Sequence, residues 1–186
     1  MIQKSLACGA VVLTALLAGC GTASDSRETN ALHAPEQLDA CALFPFAEAQ
    51  ELAGASIAPL SSTYEDAAGS RNLKQCAYNA GTIEHPLLVS LEVRPAQSVR
   101  AAERRQDSSR SFLGTLSKGQ VQDVPGVGDA ALWAGGGIDQ LHVRQGAVQL
   151  VVTMQSGTDP LAAARQVAQR TFTRLQELQR RAPAKQ

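Results

Sequence analysis

Apolar residues recur along this chain with two spacings, every second position or every third to fourth, and the two kinds of segment alternate. Leu87, Val89, Leu91 and Val93 fall on one side of an extended run, with Ser90, Glu92 and Arg94 on the other. That alternation predicts a half-buried strand, ended by Pro95. A strand over Lys74–Asn79 carries Cys76 and Tyr78, and a short one is expected near Thr63-Tyr64. Further on, the run into Trp133, the pair Leu141 and Val143, and the series Val148, Leu150, Val152 and Met154 predict three more strands. The glycines at 135–137 and Gln145-Gly146 turn the chain between them, so these three read as an antiparallel meander. Helical spacing appears at Phe46, Ala49, Leu52 and Ala53, bounded by Pro45 at a first helical position and Gly54 just past the end. Ser98 caps a second helix reaching about Leu116. Its stripe runs through Val99, Ala102, Phe112, Leu113 and Leu116, weakened in the middle by Gln106 and Ser109. The last helix has Asp159 as N-cap and Pro160 as first residue, with Leu161, Ala164, Ala168, Phe172, Leu175 and Leu178 in line. Strands interspersed with helices, without a strict βαβ rhythm, predict an α+β fold. The expected architecture is one domain, mainly an antiparallel sheet, with about three helices packed on one face. Each half ends in strand then helix, which hints at duplication, but residue identities do not support one.

The N-terminus has a different pattern. Lys4 precedes a charge-free apolar run from Leu6 to Ala18, closed by Leu17-Ala18-Gly19-Cys20. Basic start, short apolar core and small residues are the signature of a secretory signal. Thirteen apolar residues fall short of the roughly 20 that a membrane span needs, and Gly21, Thr22, Ser24 and Asp25 follow as a small, polar stretch. With a cysteine directly after the small residues, the segment resembles a bacterial lipoprotein signal. The resemblance implies cleavage between Gly19 and Cys20, with fatty acyl chains such as palmitate on Cys20. The expected organisation is then a signal over 1–19, a lipidated N-terminus and flexible tether over 20–37, an α+β domain over 38–179, and a disordered tail over 180–186. The implied location is the membrane-anchored cell envelope. Gly21 after the cysteine favours the outer membrane, facing the periplasm, in a host with two membranes; with one membrane the location is the cell surface.

Charge and cysteine content narrow the reading. Without residues 1–19 the chain retains 16 basic and 17 acidic side chains, a balance that gives no electrostatic argument for nucleic acid. One Trp, two Tyr and four Phe are few for a sugar or nucleobase binder that works by stacking. Of the four cysteines, Cys8 leaves with the signal and Cys20 takes lipid. Cys41 and Cys76 remain, an even pair in an exported protein, and a disulfide is the natural reading. They lack the C-x-x-C spacing and the histidine neighbours of a redox or metal pair.

A second resemblance is carried by Leu38-Asp39-Ala40-Cys41-Ala42-Leu43, by Cys76-Ala77-Tyr78, and by Val124-Pro125-Gly126-Val127-Gly128-Asp129-Ala130 with Trp133. This order is similar to that of small envelope lipoproteins best known from actinobacteria and grouped as a domain of unknown function. It departs from them at Phe44, where a serine or threonine is usual. The resemblance implies a lipidated, tethered domain and brings no enzymatic activity with it.

Candidate chemistry is sparse. His33 falls in the tether, His85 before Pro86 in a loop, and His142 on the polar side of a strand. No G-x-S-x-G elbow, H-E-x-x-H or Walker loop occurs, no cofactor is implied, and a metal site would need more convergent ligands. Gly126 and Gly128 precede a strand, not the helix that a dinucleotide fingerprint requires. Glu65-Asp66 lies in a loop, and Arg104 and Arg105 on a mixed-charge helix face. Asp129 has two readings: a ligand contact with Trp133 as platform, or a carboxylate that caps the turn's own backbone. The second is the more economical, and Trp133 reads more simply as a core residue. The expected function is a non-enzymatic, lipid-anchored domain that binds an envelope protein or a lipidic ligand. The alternatives are a small-molecule or lipid carrier or sensor with a cleft between sheet and helices, and last a hydrolase.

Overall fold

The computed structural model describes residues 31–182 apart from 55, 60–73, 83, 86 and 118–119. Cys8, Gly19, Cys20, the Thr63-Tyr64 strand and Glu65-Asp66 lie outside the described residues. The helices are α1 (Ala40–Leu43), α2 (Phe46–Ala53), α3 (Val99–Leu116) and α4 (Pro160–Arg181). The strands are β1 (Ala58–Pro59), β2 (Gln75–Asn79), β3 (Leu88–Pro95), β4 (Val121–Asp123), β5 (Ala130–Ala134), β6 (Gln140–Gln145) and β7 (Val148–Met154). All seven strands form one antiparallel sheet in the order β1-β2-β3-β7-β6-β5-β4. This is a single α+β domain built mainly of sheet.

The alternating residues decide what covers each face. Val89, Leu91 and Val93 of β3, Leu141 and Val143 of β6, and Val148, Leu150, Val152 and Met154 of β7 all point to one side. Ala164, Val167, Ala168, Phe172 and Leu175 of α4 close over them, joined by Phe44, Ala49 and Ala53 from the first two helices. Burying each large side chain here contributes about 1.5–3 kcal/mol. Asp159 accepts from the Ala162 N–H at 3.0 Å, so α4 starts where its cap predicts.

The third helix corrects the sequence reading. Helix α3 starts as expected, with the Ser98 hydroxyl accepting from the Ala101 N–H at 3.1 Å. It lies, however, on the opposite face, over the side of β5, β6 and β7 that carries Leu132, His142 and Gln149. Its buried positions are Ala102, Gln106, Ser109 and Leu113, while Phe112 and Leu116 are exposed. The polar pair that weakened the expected stripe is therefore its centre. The Gln106 amide donates to the His142 carbonyl at 3.1 Å, and the Gln149 amide donates to Gln106 Oε1 at 2.8 Å and to the Ser109 hydroxyl at 3.1 Å. Such a buried network holds α3 in one register because any shift orphans several polar groups. It also rules out a duplicated half: a two-fold axis that exchanged the antiparallel β3 and β7 would leave both following helices on the same face.

Both domain limits move. Residues 31–37, expected in the tether, pack on the domain. Leu32 is buried, its carbonyl accepts from the Ala147 N–H at 2.8 Å, and its backbone lies where a Cβ on Gly146 would sit. Gln179 of α4 closes the same corner, its Oε1 accepting from the His33 N–H at 3.1 Å and its Nε2 donating to the Ala31 carbonyl at 3.2 Å. Ala31 and Leu32 are apolar, and burial rewards them despite polar neighbours. At the other end α4 continues to Arg181, beyond the expected start of the tail at 180.

Candidate functional site

Cys41 and Cys76 are bonded, with Cα atoms 5.0 Å apart across a separation of 35 residues. The bond fastens α1 to β2. Asp39 starts α1 by accepting from the Cys41 and Ala42 N–H groups at 2.9 and 3.2 Å. Tyr78, two residues after Cys76, donates its hydroxyl to the Phe44 carbonyl at 2.7 Å. Burial, then the charges of Asp39 and Glu48, push this phenol up to about 12, which keeps it a donor. Glu48, buried on α2, pairs with Arg174 at 2.5 Å and with Arg170 at 3.5 Å, both on α4. This ion-pair group went unread in the sequence. Helical spacing puts Glu48 beside Ala49 and Leu52, but its partners lie more than 120 residues away.

Asp129 sits where the turn Val124–Asp129 enters β5. One of its oxygens, Oδ2, accepts from Arg144 at 2.9 Å and from the Gly146 N–H at 2.8 Å. Glu103 of α3 lies 3.9 Å from the other side of Arg144. Gly126 and Gly128 have φ of +78° and +59°, the left-handed geometry that the sequence pattern suggested. Asp129 borders an open cleft of about 930 Å³ between the β6–β7 turn, the start of α3 and the end of α4. Trp133 does not line it. It is 7% exposed and packs in the core on the α4 side of the sheet. Asp129 thus ties the turn to β6, and the expected Asp129–Trp133 pair is not brought together.

A second cleft, unanticipated, lies on the opposite face, where α3 stops covering the sheet. Cross-strand pairing builds its floor: Ser90 faces Thr153, which faces Gln140, and Glu92 faces Val151, which faces His142. Arg105 and Phe112 of α3 form its wall, and the volume is about 370 Å³. Glu92 and Arg94 hold each other through two 2.7 Å contacts. Arg105 donates one amino group to the carbonyls of Arg94 and Pro95 at 3.1 and 3.0 Å. Its neighbour Arg104 is exposed, so the two do not act as one basic patch.

His142 is the unusual group here. Alternation put it on the polar side of β6, but α3 covers that side and leaves the residue 3% exposed. Its Nε2 lies 3.3 Å from Gln140 Oε1. An amide oxygen only accepts, so Nε2 carries the hydrogen and Nδ1 presents a lone pair. Nδ1 is buried and has no partner among the described residues. Burial, then the Arg94 charge, lowers the imidazole from 6.5 to about 4, with Glu92 opposing. The ring is neutral at physiological pH. Polar floor residues two apart on β3, β6 and β7 were the available signal for this cleft; the helix that roofs half of it was not.

The remaining histidines take no part. The His33 N–H meets Gln179, and His85 is exposed, its N–H donating to Thr82. Among the described residues no three His, Cys, Asp or Glu side chains are grouped to hold a metal ion, and no helix is long and apolar enough to cross a membrane. Comparison of the chain with protein-family models, with characterised proteins and with solved structures finds no match.

Proposed function

We propose that this chain is a lipid-anchored protein of the cell envelope whose domain binds a partner and performs no catalysis itself. The observation that carries the envelope assignment is the Cys41–Cys76 bond. Disulfides form and persist in oxidising compartments, which agrees with the basic, apolar and small-residue order before Cys20. The resemblance to actinobacterial envelope lipoproteins points the same way. Within the domain, the interior between the sheet and α4 is filled by Phe44, Leu91, Leu150, Met154 and Leu175. That favours a surface binder over a carrier that encloses a lipid there. The polar cleft beside α3 favours a small polar molecule as the second kind of occupant. Among the described residues no hydroxyl or thiol lies within hydrogen-bond reach of the free nitrogen of His142, so it lends no support to a hydrolase reading, which needs a paired nucleophile and base.

The test is a Cys20→Ser substitution in cells fed a labelled fatty acid. The wild-type chain takes up label and fractionates with membranes, and the variant does neither. Label retained on the variant refutes the anchor. Photo-crosslinking in intact cells addresses binding; failure to recover any specific partner or small molecule removes the binding role.

A further inference from the structure

The cleft beside α3 holds two uncommitted groups of complementary kind. Arg94 is neutralised by Glu92 through both carboxylate oxygens. Arg105 is not: its contacts are the carbonyls of Arg94 and Pro95, and among the described residues no carboxylate pairs with it. The cleft therefore carries one uncompensated positive charge at its rim. At its inner end Nδ1 of His142 presents an unpartnered acceptor, and a buried acceptor left unmet costs about 1–3 kcal/mol. Glu92 pairs with Val151, which pairs with His142, so two strand spacings, roughly 10 Å, separate the Glu92 and His142 backbones across the floor. Val151 lies between them, Ser90 and Thr153 form the next row of the floor, and Phe112, 60% exposed, stands over the opening as an apolar wall. The volume, about 370 Å³, lies in the range of small-molecule sites.

We propose that this cleft binds a small organic carboxylate bearing a hydroxyl or amide group. Its anion meets the free edge of the Arg105 guanidinium, its N–H or O–H donates to His142 Nδ1, and its carbon skeleton lies against Phe112. Planar guanidinium suits a carboxylate better than a point charge does, and a neutral donor at the far end meets the Nδ1 acceptor that has no partner among the described residues. The inference rests on reading the domain as a binding module and is independent of the lipid anchor.

The test uses the full chain in detergent micelles, titrated calorimetrically with gluconate, malate and N-acetylglycinate and with the uncharged amide of each, the diamide for malate. At least one carboxylate binds saturably, and its amide binds at least about tenfold more weakly, as loss of a charge-assisted contact requires. Arg105→Gln and His142→Gln each weaken binding by about tenfold. Glutamine at 142 keeps an amide near Nε2 and leaves nothing at Nδ1. Because Arg105 also holds two carbonyls, Arg105→Lys serves as a second variant that keeps the charge; it retains more affinity than Arg105→Gln. No saturable binding by any of the three acids overturns the proposal, as does affinity unchanged in both glutamine variants. A wild-type chain that takes up no lipid label, with carboxylate binding intact, would sink the proposed anchor and leave this site standing; labelling and crosslinks to a protein with no carboxylate binding would remove the site alone.

Discussion

Acid should destabilise this domain through His142. The folded state keeps the imidazole neutral down to about pH 4, because burial and then Arg94 disfavour the charged form, with Glu92 only partly opposing. In the unfolded chain the group returns to about 6.5. Between those values the unfolded chain binds a proton that the folded chain does not, so unfolding takes up a proton and acid favours it. The stability tied to the neutral ring is complete above about pH 6.5 and is lost as pH falls towards 4. A gap of roughly 2.5 units at 1.36 kcal/mol each gives about 3 kcal/mol, a large share of the about 5–15 kcal/mol that holds a typical domain together. Urea unfolding followed by circular dichroism, repeated at half-unit steps across that window, measures it. The control is His142→Gln, which cannot titrate. All other groups are shared and cancel in the difference between the two proteins. That difference should change by about 3 kcal/mol in favour of the variant as pH falls. Parallel curves across the window would refute the assignment of a buried, neutral His142.

Three further perturbations test the framework. Replacing Cys41 and Cys76 together by serine frees a separation of 35 residues and should cost about 4 kcal/mol in the chain-entropy description; an unchanged urea midpoint would contradict it. Gly126→Ala and Gly128→Ala form a matched pair. Both have positive φ, but a Cβ at 126 meets open space while one at 128 falls 2.5 Å from the Arg144 carbonyl oxygen. The first should cost about 1 kcal/mol and the second about 3, and equal losses would show that strain alone matters. Asp129→Ala removes the acceptor for Gly146 and Arg144 and should cost about 1 kcal/mol in thermal unfolding, with carboxylate binding at the α3 cleft unchanged; lost binding would reassign Asp129 from the turn to the ligand.

The sequence shows its boundaries and alternations more plainly than its faces. Ser98, Asp159 with Pro160, and Gly54 mark helix ends through local hydrogen bonds and backbone geometry, which a short window contains. The sets Val89, Leu91, Val93 and Val148, Leu150, Val152, Met154 are equally local. Which side of the sheet a helix covers is not. Two stripes compete on α3, one through Phe112 and Leu116 and one through Gln106 and Ser109. The second wins because Gln149 and the His142 carbonyl, 43 and 36 residues from Gln106, satisfy its polar members. The same distance hides His142, whose burial depends on a helix from elsewhere in the chain, and the corner where residues 31–37 meet Gln179. Without α3 on the polar face the cleft has no wall, so its chemistry could not be assembled from the strand pattern alone.

The corner formed by Leu32, Gly146 and Gln179 gives the proposed anchor a mechanical consequence. Ten residues separate Cys20 from Ala31, a span of at most about 35 Å. Force beyond that reach acts first on the Leu32–Ala147 contact and the two Gln179 contacts, a small set that can peel one bond at a time. Releasing 31–37 adds further length, at most roughly 24 Å. The load then arrives at α1, where the Cys41–Cys76 bond passes it covalently into β2. With the proposed anchor, pull on the N-terminal side would lengthen the chain only as far as α1, and the bond would shield the loop between the two cysteines from it.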